Sequence, residues 1–373
     1  MSTDRPSPVA VLVVDDSPVQ RRFLRAAVEA EGDFTVVGEA RNGKEAVALV
    51  ERLRPAAVLM DLDLPVMSGI EAIERIMSSH ATPILVYSAF VAGANSENAL
   101  EALAAGAVDV LAKPGPDDTG TLDEYAAVLR RKLRGAARVR VITHPRGRLR
   151  SQGLIGTAPS LGSATPRRPL APAVEPCPEG RDAVRLVAVG ASTGGPQALL
   201  TLLSQLPVDL DQAVLVVQHM AEGFIPGLAS WLDGLVPMPV VVGESGRRLV
   251  PGTITIAPTG GNLLVQDDRL RVLCTPPEPG QFHVPGIDAS FESVARALGP
   301  AAVGVLLTGM GRDGAAGLLA MRGRGALTLG QDEATSAVYG MPAAAQALGA
   351  VDHQLPLEQI APALLTALGR VHQ

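Results

Sequence analysis

Short apolar runs alternate with amphipathic segments along most of this chain, and few folds accept that alternation. Val9–Val14, Thr35–Gly38, Ala57–Met60, Ile84–Tyr87 and Val108–Leu111 read as strands. Between them Val19–Glu31, Lys44–Arg54, Ile70–Ser78 and Glu97–Ala105 read as helices, and a last helix is expected over Leu122–Arg134. Ser17 before Pro18 makes a good helix start, with serine as N-cap and proline as first helical residue. Five βα units in series predict a doubly wound parallel α/β sheet. Aromatic residues make up only 3% of the chain, so its cores must be built from Val, Leu, Ile and Ala. Such cores suit parallel sheets buried on both faces.

Residues 136–183 break the pattern. They are rich in Pro, Gly and Ser and carry eight Arg, no Lys and three acidic residues. This composition predicts a solvated tether, with one short strand at Val139–Thr143. A second α/β pattern begins at Arg185. Its strands are expected at Leu186–Val189, Ala213–Val217, Val240–Gly243, Thr253–Ala257, Leu263–Val265, Leu270–Leu273, Val303–Thr308 and Ala326–Leu329. Its helices are expected over Pro196–Leu206, Ile225–Leu235, Ser290–Leu298, Ala315–Met321, Pro342–Leu348 and Leu357–Leu368.

Net charge of -6 argues against nucleic acid held by bulk charge. The two cysteines, Cys177 and Cys274, lie far apart in unlike contexts. That pattern predicts neither a disulfide framework nor a zinc site. Met1 to Pro8 is polar, and no apolar stretch reaches the ~18 residues of a membrane span. The cytoplasm is the expected location.

Five residues fall at predicted strand ends of the first pattern. Asp15 and Asp16 follow the first strand, Asp61 the third, Ser88 the fourth and Lys113 the fifth. In an open parallel sheet these carboxyl ends share one ligand-binding edge. Three carboxylates beside an ammonium suit a hard cation such as Mg²⁺. With their repulsion offset, Asp61 can attack a phosphoryl group while Lys113 neutralises charge on it and Ser88 hydrogen-bonds to it. Each acid alone would be a helix cap or a loop end; the ordered set is not. The set resembles the response-regulator receiver domain through Val11–Ser17 (VLVVDDS), Met60–Gly69 (MDLDLPVMSG) and Asp109–Pro114 (DVLAKP). The resemblance covers roughly residues 7–130. It implies a flavodoxin-like receiver phosphorylated on Asp61 by a histidine kinase. Asp16, Asp61 and the main-chain carbonyl of Asp63 would hold Mg²⁺, with Asp15 assisting. Val110 stands where many receivers carry an aromatic switch residue.

In the second pattern, Gly190-Ala191-Ser192-Thr193-Gly194-Gly195 joins a strand to a helix. Its small residues allow a sharp turn exposing Ser192, and N–H groups at the helix start can stabilise an oxyanion. The G-x-S-x-G spacing is weak alone, because N-capped βα turns and phosphate loops share it. His219 follows the next predicted strand, Ala213–Val217, and shares the edge with Ser192 if the two strands are neighbours. A third, carboxylate member is offered by Asp313, past the strand Val303–Thr308, with Asp288 as a rival. The order Ser, His, Asp differs from that of α/β-hydrolases.

Residues 185–373 resemble the catalytic domain of the chemotaxis protein-glutamate methylesterases, the CheB family. The resemblance rests on Ala188–Pro196 (AVGASTGGP), Val216–Phe224 (VVQHMAEGF), Ile256-Ala257-Pro258, Leu307–Leu318 (LTGMGRDGAAGL) and Gln331–Pro342 (QDEATSAVYGMP). It implies a receiver over 7–134, a linker over 135–183 and a doubly wound methylesterase domain over 184–373. It implies a triad of Ser192, His219 and Asp313, with the main chain of Thr193 and Met310 at the oxyanion site. His283 lies in the family's H-x-P-x-x-D segment, and Val284 stands where an Arg is usual. The expected activity is demethylation of glutamate methyl esters, and deamidation of glutamines, on chemotaxis receptors. Control would come from a chemotaxis-type sensor kinase, through a receiver that covers the Ser192 edge until phosphorylated. The esterase chemistry would need no cofactor, and the chain would act as a monomer without nucleic acid or membrane insertion. The rival readings are a non-catalytic response regulator and a same-fold esterase in a non-motility pathway.

Overall fold

The computed structural model describes residues 7–88, 94–114, 121–139, 184–221, 223–277, 281 and 283–369. Cys177, His144, His372 and all but Val139 of the expected strand Val139–Thr143 lie outside them.

The first sheet is built from β1 (Val9–Val14), β2 (Phe34–Ala40), β3 (Ala57–Met60), β4 (Ile84–Ser88) and β5 (Asp109–Ala112). All pairs are parallel and the order is β2-β1-β3-β4-β5. Around it run α1 (Pro18–Glu29), α2 (Gly43–Leu53), α3 (Gly69–Ser79), α4 (Ala94–Ala104) and α5 (Leu122–Ala136). Every residue of β3 and β4 is buried, as a strand covered on both faces must be. The starts are set locally. Ser17 accepts from the Gln20 N–H with Pro18 at the first turn, and Thr121 with Glu124 forms a capping box on α5. α5 runs to Ala136, past the expected boundary at 134, because Leu133 and Ala136 still face the core.

The second sheet has seven parallel strands in the order β14-β13-β12-β6-β7-β9-β8. They are β6 (Leu186–Ala191), β7 (Ala213–Gln218), β8 (Val240–Val242), β9 (Ile254–Ile256), β12 (Ala302–Leu306), β13 (Leu327–Gln331) and β14 (His353–Leu355). The helices are α6 (Gly195–Leu203), α7 (Phe224–Asp233), α8 (Ile287–Leu298), α9 (Ala315–Gly323), α10 (Met341–Ala347) and α11 (Leu357–Ala367). β10 (Asn262–Val265) and β11 (Val272–Thr275) leave the sheet as an antiparallel hairpin. The expected strand Leu270–Leu273 therefore shifts onto 272–275. Leu270 has a left-handed φ of 62° and belongs to the turn. β14 had no apolar run to announce it; its three residues form an edge strand held by pairing with β13.

The first strand of each pattern lies inside its sheet, and the chain reverses its direction of winding there. β1 lies between β2 and β3, and β6 lies between β7 and β12. Ligand crevices form at such switch points, outside the carboxyl ends of the strands. The two units also share apolar surface. Ala99, Leu100 and Leu103 of α4 belong to one buried cluster with Ile225, Leu228 and Ala229 of α7.

Candidate active site

At the switch point of the first sheet, the register pairs Val14 with Met60, so Asp15 and Asp61 leave neighbouring strands side by side. Single oxygens of Asp15, Asp16 and Asp61 all lie within 4.8 Å of one another. Asp15 and Asp61 are buried and Asp16 is exposed. Lys113 Nζ donates to Asp61 Oδ2 at 2.7 Å and to Asp15 Oδ2 at 2.9 Å. Burial pushes the Asp61 carboxyl up to about 6, against the pull of Lys113. Burial also opposes the charge on Lys113, but Asp61 and Asp15 outweigh it and hold the ammonium above the usual lysine range. Ser88 ends β4, buried, and its carbonyl accepts the Lys113 N–H at 2.8 Å. Asp63 lies exposed two residues beyond Asp61. A converging, all-oxygen set of three carboxylates fits a hard divalent cation.

Val110 is buried. Aromatic contact comes from another strand instead. Lys113 Nζ sits 5.2 Å from the ring centre of buried Tyr87, whose ring meets Tyr125 of α5 edge-on at 6.4 Å. Tyr125 donates its hydroxyl to the carbonyl of Ala112 at 2.6 Å. The pocket lysine thus touches a pair of rings that ends on α5.

At the switch point of the second sheet, Ser192 is the first residue past β6. Gly194 takes a left-handed φ of 76°, and a Cβ there would lie 2.4 Å from that of Ala337. A Cβ on Gly309 would lie 2.7 Å from that of Ser192, so the loop after β12 passes directly against Ser192. The Ser192 N–H donates to the Thr308 carbonyl at 3.0 Å. Gln218 Nε2 donates to the carbonyls of both Ser192 and His219 at 2.9 Å, tying the two strand ends together.

His219 Nε2 lies 2.7 Å from Asp313 Oδ2. Its other nitrogen, Nδ1, is buried and has no hydrogen-bond partner among the described residues. Asp313 also accepts from the N–H groups of Ile287, Asp288 and Gly314 at 2.8, 3.0 and 3.1 Å. Burial alone would raise its carboxyl; the bonds from His219 and from Asp288 and Ile287 overcome this and hold it at about 2. Asp288, the rival carboxylate, takes the Gly317 N–H instead. The His283 ring stacks on His219 at 4.5 Å between centres and 7° between planes. Burial first, then the neighbouring His219 and Arg131, push His283 down to about 4. Its ring is therefore neutral at physiological pH. Thr193 is buried beside Ser192, and Met310 follows Gly309 on the facing loop. Their backbone N–H groups have no acceptor among the described residues.

The Ser192 loop is gripped by the first unit. Thr193 Oγ1 donates to Asp109 Oδ2 at 3.0 Å, and Lys132 of α5 donates to the same oxygen at 2.8 Å. The Gly194 N–H donates to the Val108 carbonyl at 3.2 Å, and Gln197 donates to that of Leu103 at 2.6 Å. Gly135 of α5 lies against Met310: a Cβ there would be 3.3 Å from Met310 Cε and 4.0 Å from Thr193 Cγ2. Sequence reasoning missed Asp109, Lys132 and Gly135. The DVLAKP stretch contains Asp109, but no local signal links it to a residue 84 positions away.

A family model described as CheB methylesterase matches residues 187–364, and one described as response regulator receiver domain matches residues 11–122. The chain is 42% identical over 97% of its length to protein-glutamate methylesterase/protein-glutamine glutaminase 3 of Paramagnetospirillum magneticum, covering 96% of that protein. It is also 42% identical over 95% of its length to a protein of that description from Cupriavidus pinatubonensis, covering 96% of it. Among solved structures, the Thermotoga maritima CheB methylesterase catalytic domain matches with 30% identity and a TM-score of 0.47, covering 48% of this chain and 96% of that one.

Proposed function

Because the chain belongs to the CheB family of protein-glutamate methylesterases/protein-glutamine glutaminases, we propose that Ser192 is its nucleophile, acting on methylated glutamates of chemotaxis receptors. Ser192 Oγ bonds to the ester carbonyl carbon while His219 takes the hydroxyl proton. The tetrahedral oxyanion is met by the N–H groups of Thr193 and Met310, a type of contact worth about 2.7–4 kcal/mol per donor. The C–O bond to the methoxy group then breaks, and His219 returns the proton to release methanol. Water, deprotonated by His219, hydrolyses the acyl-serine to glutamate and free enzyme. With a glutamine substrate the same steps release ammonia.

The single observation that carries this reading is the His219 ring. One nitrogen is spent on Asp313 and the other is buried and unspent, at the strand end beside Ser192. Nδ1 is therefore the base, and Nε2–H donates to Asp313. This reverses the ring assignment of the trypsin-type triad while keeping its roles. Asp313 fixes the tautomer and stabilises the imidazolium. His283, neutral and stacked, adds no opposing charge.

Control comes from the first unit. Asp61 accepts a phosphoryl group from a histidine kinase of the chemotaxis type. Asp16, Asp61 and the Asp63 carbonyl would hold Mg²⁺, which would supply positive charge to offset the repulsion between carboxylate and phosphate. Lys113 then exchanges a carboxylate for the phosphoryl oxygens. Because Lys113 contacts Tyr87, and Tyr87 contacts Tyr125 of α5, that exchange reaches the helix that covers Met310 and Thr193. Loosening α5 and Asp109 exposes the Ser192 loop. The units are taken as 7–134, 135–183 and 184–373, and α5 runs two residues past the first of these bounds, to Ala136. Among the described residues no helix is long and apolar enough to cross a membrane. The reading puts the chain in the cytoplasm as a monomer, meeting the receptors' cytoplasmic helices.

The test is methanol release from methyl-labelled receptor. Wild type releases methanol and Ser192→Ala does not. Equal release by both proteins sinks the assignment of Ser192.

A further inference from the structure

We infer that Asp288 is a positioning residue for this triad, holding Asp313 in line with His219 through a reciprocal cap between two helix starts. The inference rests on the hydrolase reading above. α8 and α9 begin beside each other, and both have glycine at the N-cap, Gly286 and Gly314, with no side-chain bond of their own. The free N–H groups of a helix start need acceptors. Here each helix supplies the other's. Asp313, just before α9, accepts from Ile287 and Asp288 in the first turn of α8. Asp288, in that same turn, accepts through Oδ1 from the Gly317 N–H in the first turn of α9 at 2.7 Å. Gly317 permits the approach: a Cβ there would lie 2.6 Å from that of Phe291 and 2.8 Å from the Asp288 carbonyl oxygen.

The crossed caps leave Asp313 little freedom. Oδ1 is held by Asp288 N and Gly314 N, and Oδ2 is shared between Ile287 N and His219 Nε2. Removing the Asp288 carboxylate frees the start of α9, and Asp313 sits one residue before its N-cap. The hydrogen bond that sets the His219 ring then loses its fixed end.

The two carboxyls also share charge. Burial first, then the nearby Asp313, push the Asp288 carboxyl up to about 6, while Asp313 stays at about 2. The pair therefore gains its second negative charge close to the working range. Around it stand His219, the exposed Arg312, and Glu292 of α8 paired with Arg296, while Arg131 and Lys132 of α5 act on His283, which stacks on His219. A second charge beside His219 favours the imidazolium.

The test compares full-length wild type, Asp288→Ala, Asp288→Asn and Ser192→Ala for methanol release from methylated receptor, per folded molecule by circular dichroism. Asp288→Ala should lower kcat about 10- to 100-fold at unchanged KM, the scale of a misplaced catalytic group. Asp288→Asn keeps an acceptor for Gly317 and should recover most of that loss. A wild-type kcat in Asp288→Ala, an effect confined to KM, or equal loss in both variants overturns the inference. If Asp288→Ala does not fold, the pH profile of Asp288→Asn decides. Its acid limb in kcat should lie at lower pH than that of wild type, because one negative charge beside His219 is gone. Coincident limbs overturn the inference. Activity present in wild type and absent in Ser192→Ala keeps the hydrolase reading intact whichever way Asp288 falls.

Discussion

Asp109→Ala should release the unphosphorylated enzyme from its own first unit. Asp109 Oδ2 is the single oxygen that joins Lys132 of α5 to the Thr193 hydroxyl on the Ser192 loop. Its side chain is 12% exposed and that of Lys132 20%, so both groups are largely out of water and solvent screening is weak. A hydrogen bond to a charged group contributes about 1.5–3 kcal/mol, and its loss leaves Lys132 unpaired in the closed arrangement. Opening breaks only the Thr193 bond, which water replaces, because Lys132 and Asp109 both belong to the first unit. The closed-to-open ratio should therefore fall by roughly 10- to 150-fold, at about 1.4 kcal/mol per factor of ten. Basal methanol release should rise by up to that factor, capped at the rate of the fully open enzyme. The cleanest assay places the change in an Asp61→Asn background, where no phosphorylation can contribute. Asp61→Asn is compared with Asp61→Asn/Asp109→Ala on the same methylated receptor. Equal rates in the two would refute the reasoning, since the grip on Thr193 would then hold nothing back.

Asp313→Asn should lower kcat by about four orders of magnitude with little change in KM, because the amide cannot fix the tautomer or stabilise the imidazolium; single-turnover methanol release reads this. His283 has its folded pKa pulled down to about 4 from an ordinary value of 6.5. Between those values the unfolded chain binds the extra proton, so stability falls as pH drops from about 6.5 towards 4. His283→Gln should flatten that part of the melting-temperature profile, and an unchanged profile would contradict the burial argument. Mg²⁺ binding only the folded pocket should stabilise by about 2.7 kcal/mol at a hundred times its Kd. Thermal melts should show this shift in wild type and lose it in Asp16→Asn.

Much of this architecture was legible from the chain. Val9–Val14, Ala57–Met60 and Ala213–Val217 are runs without polar interruption, and strands buried on both faces have no other sequence form. Parallel winding then sends Asp15, Asp61 and Lys113 to one edge and Ser192, His219 and Asp313 to another. What was not legible depends on tertiary contact. β14 is three residues of an edge strand, set by its neighbour rather than by its own pattern. The hairpin β10–β11 looks like two more parallel strands until its turn at Leu270 is seen. Asp109 falls inside the expected strand Val108–Leu111, and nothing local shows that it bonds to Thr193. Sequence offers Asp313 with Asp288 as a rival; the geometry gives both carboxylates a place, Asp313 on His219 and Asp288 on the helix behind it. Which His219 nitrogen meets Asp313 leaves no trace in sequence, because either can reach a carboxylate.

Asp61 and Ser192 occupy separate crevices, so control of the second by the first must pass between the two units. The direct measurement is the initial rate of methanol release from methylated receptor, with and without a small-molecule phosphodonor, for wild type and Asp61→Asn. Wild type should accelerate on phosphodonor addition, and Asp61→Asn should stay at its basal rate under both conditions. Equal acceleration in the two proteins, or none in wild type, would contradict the account.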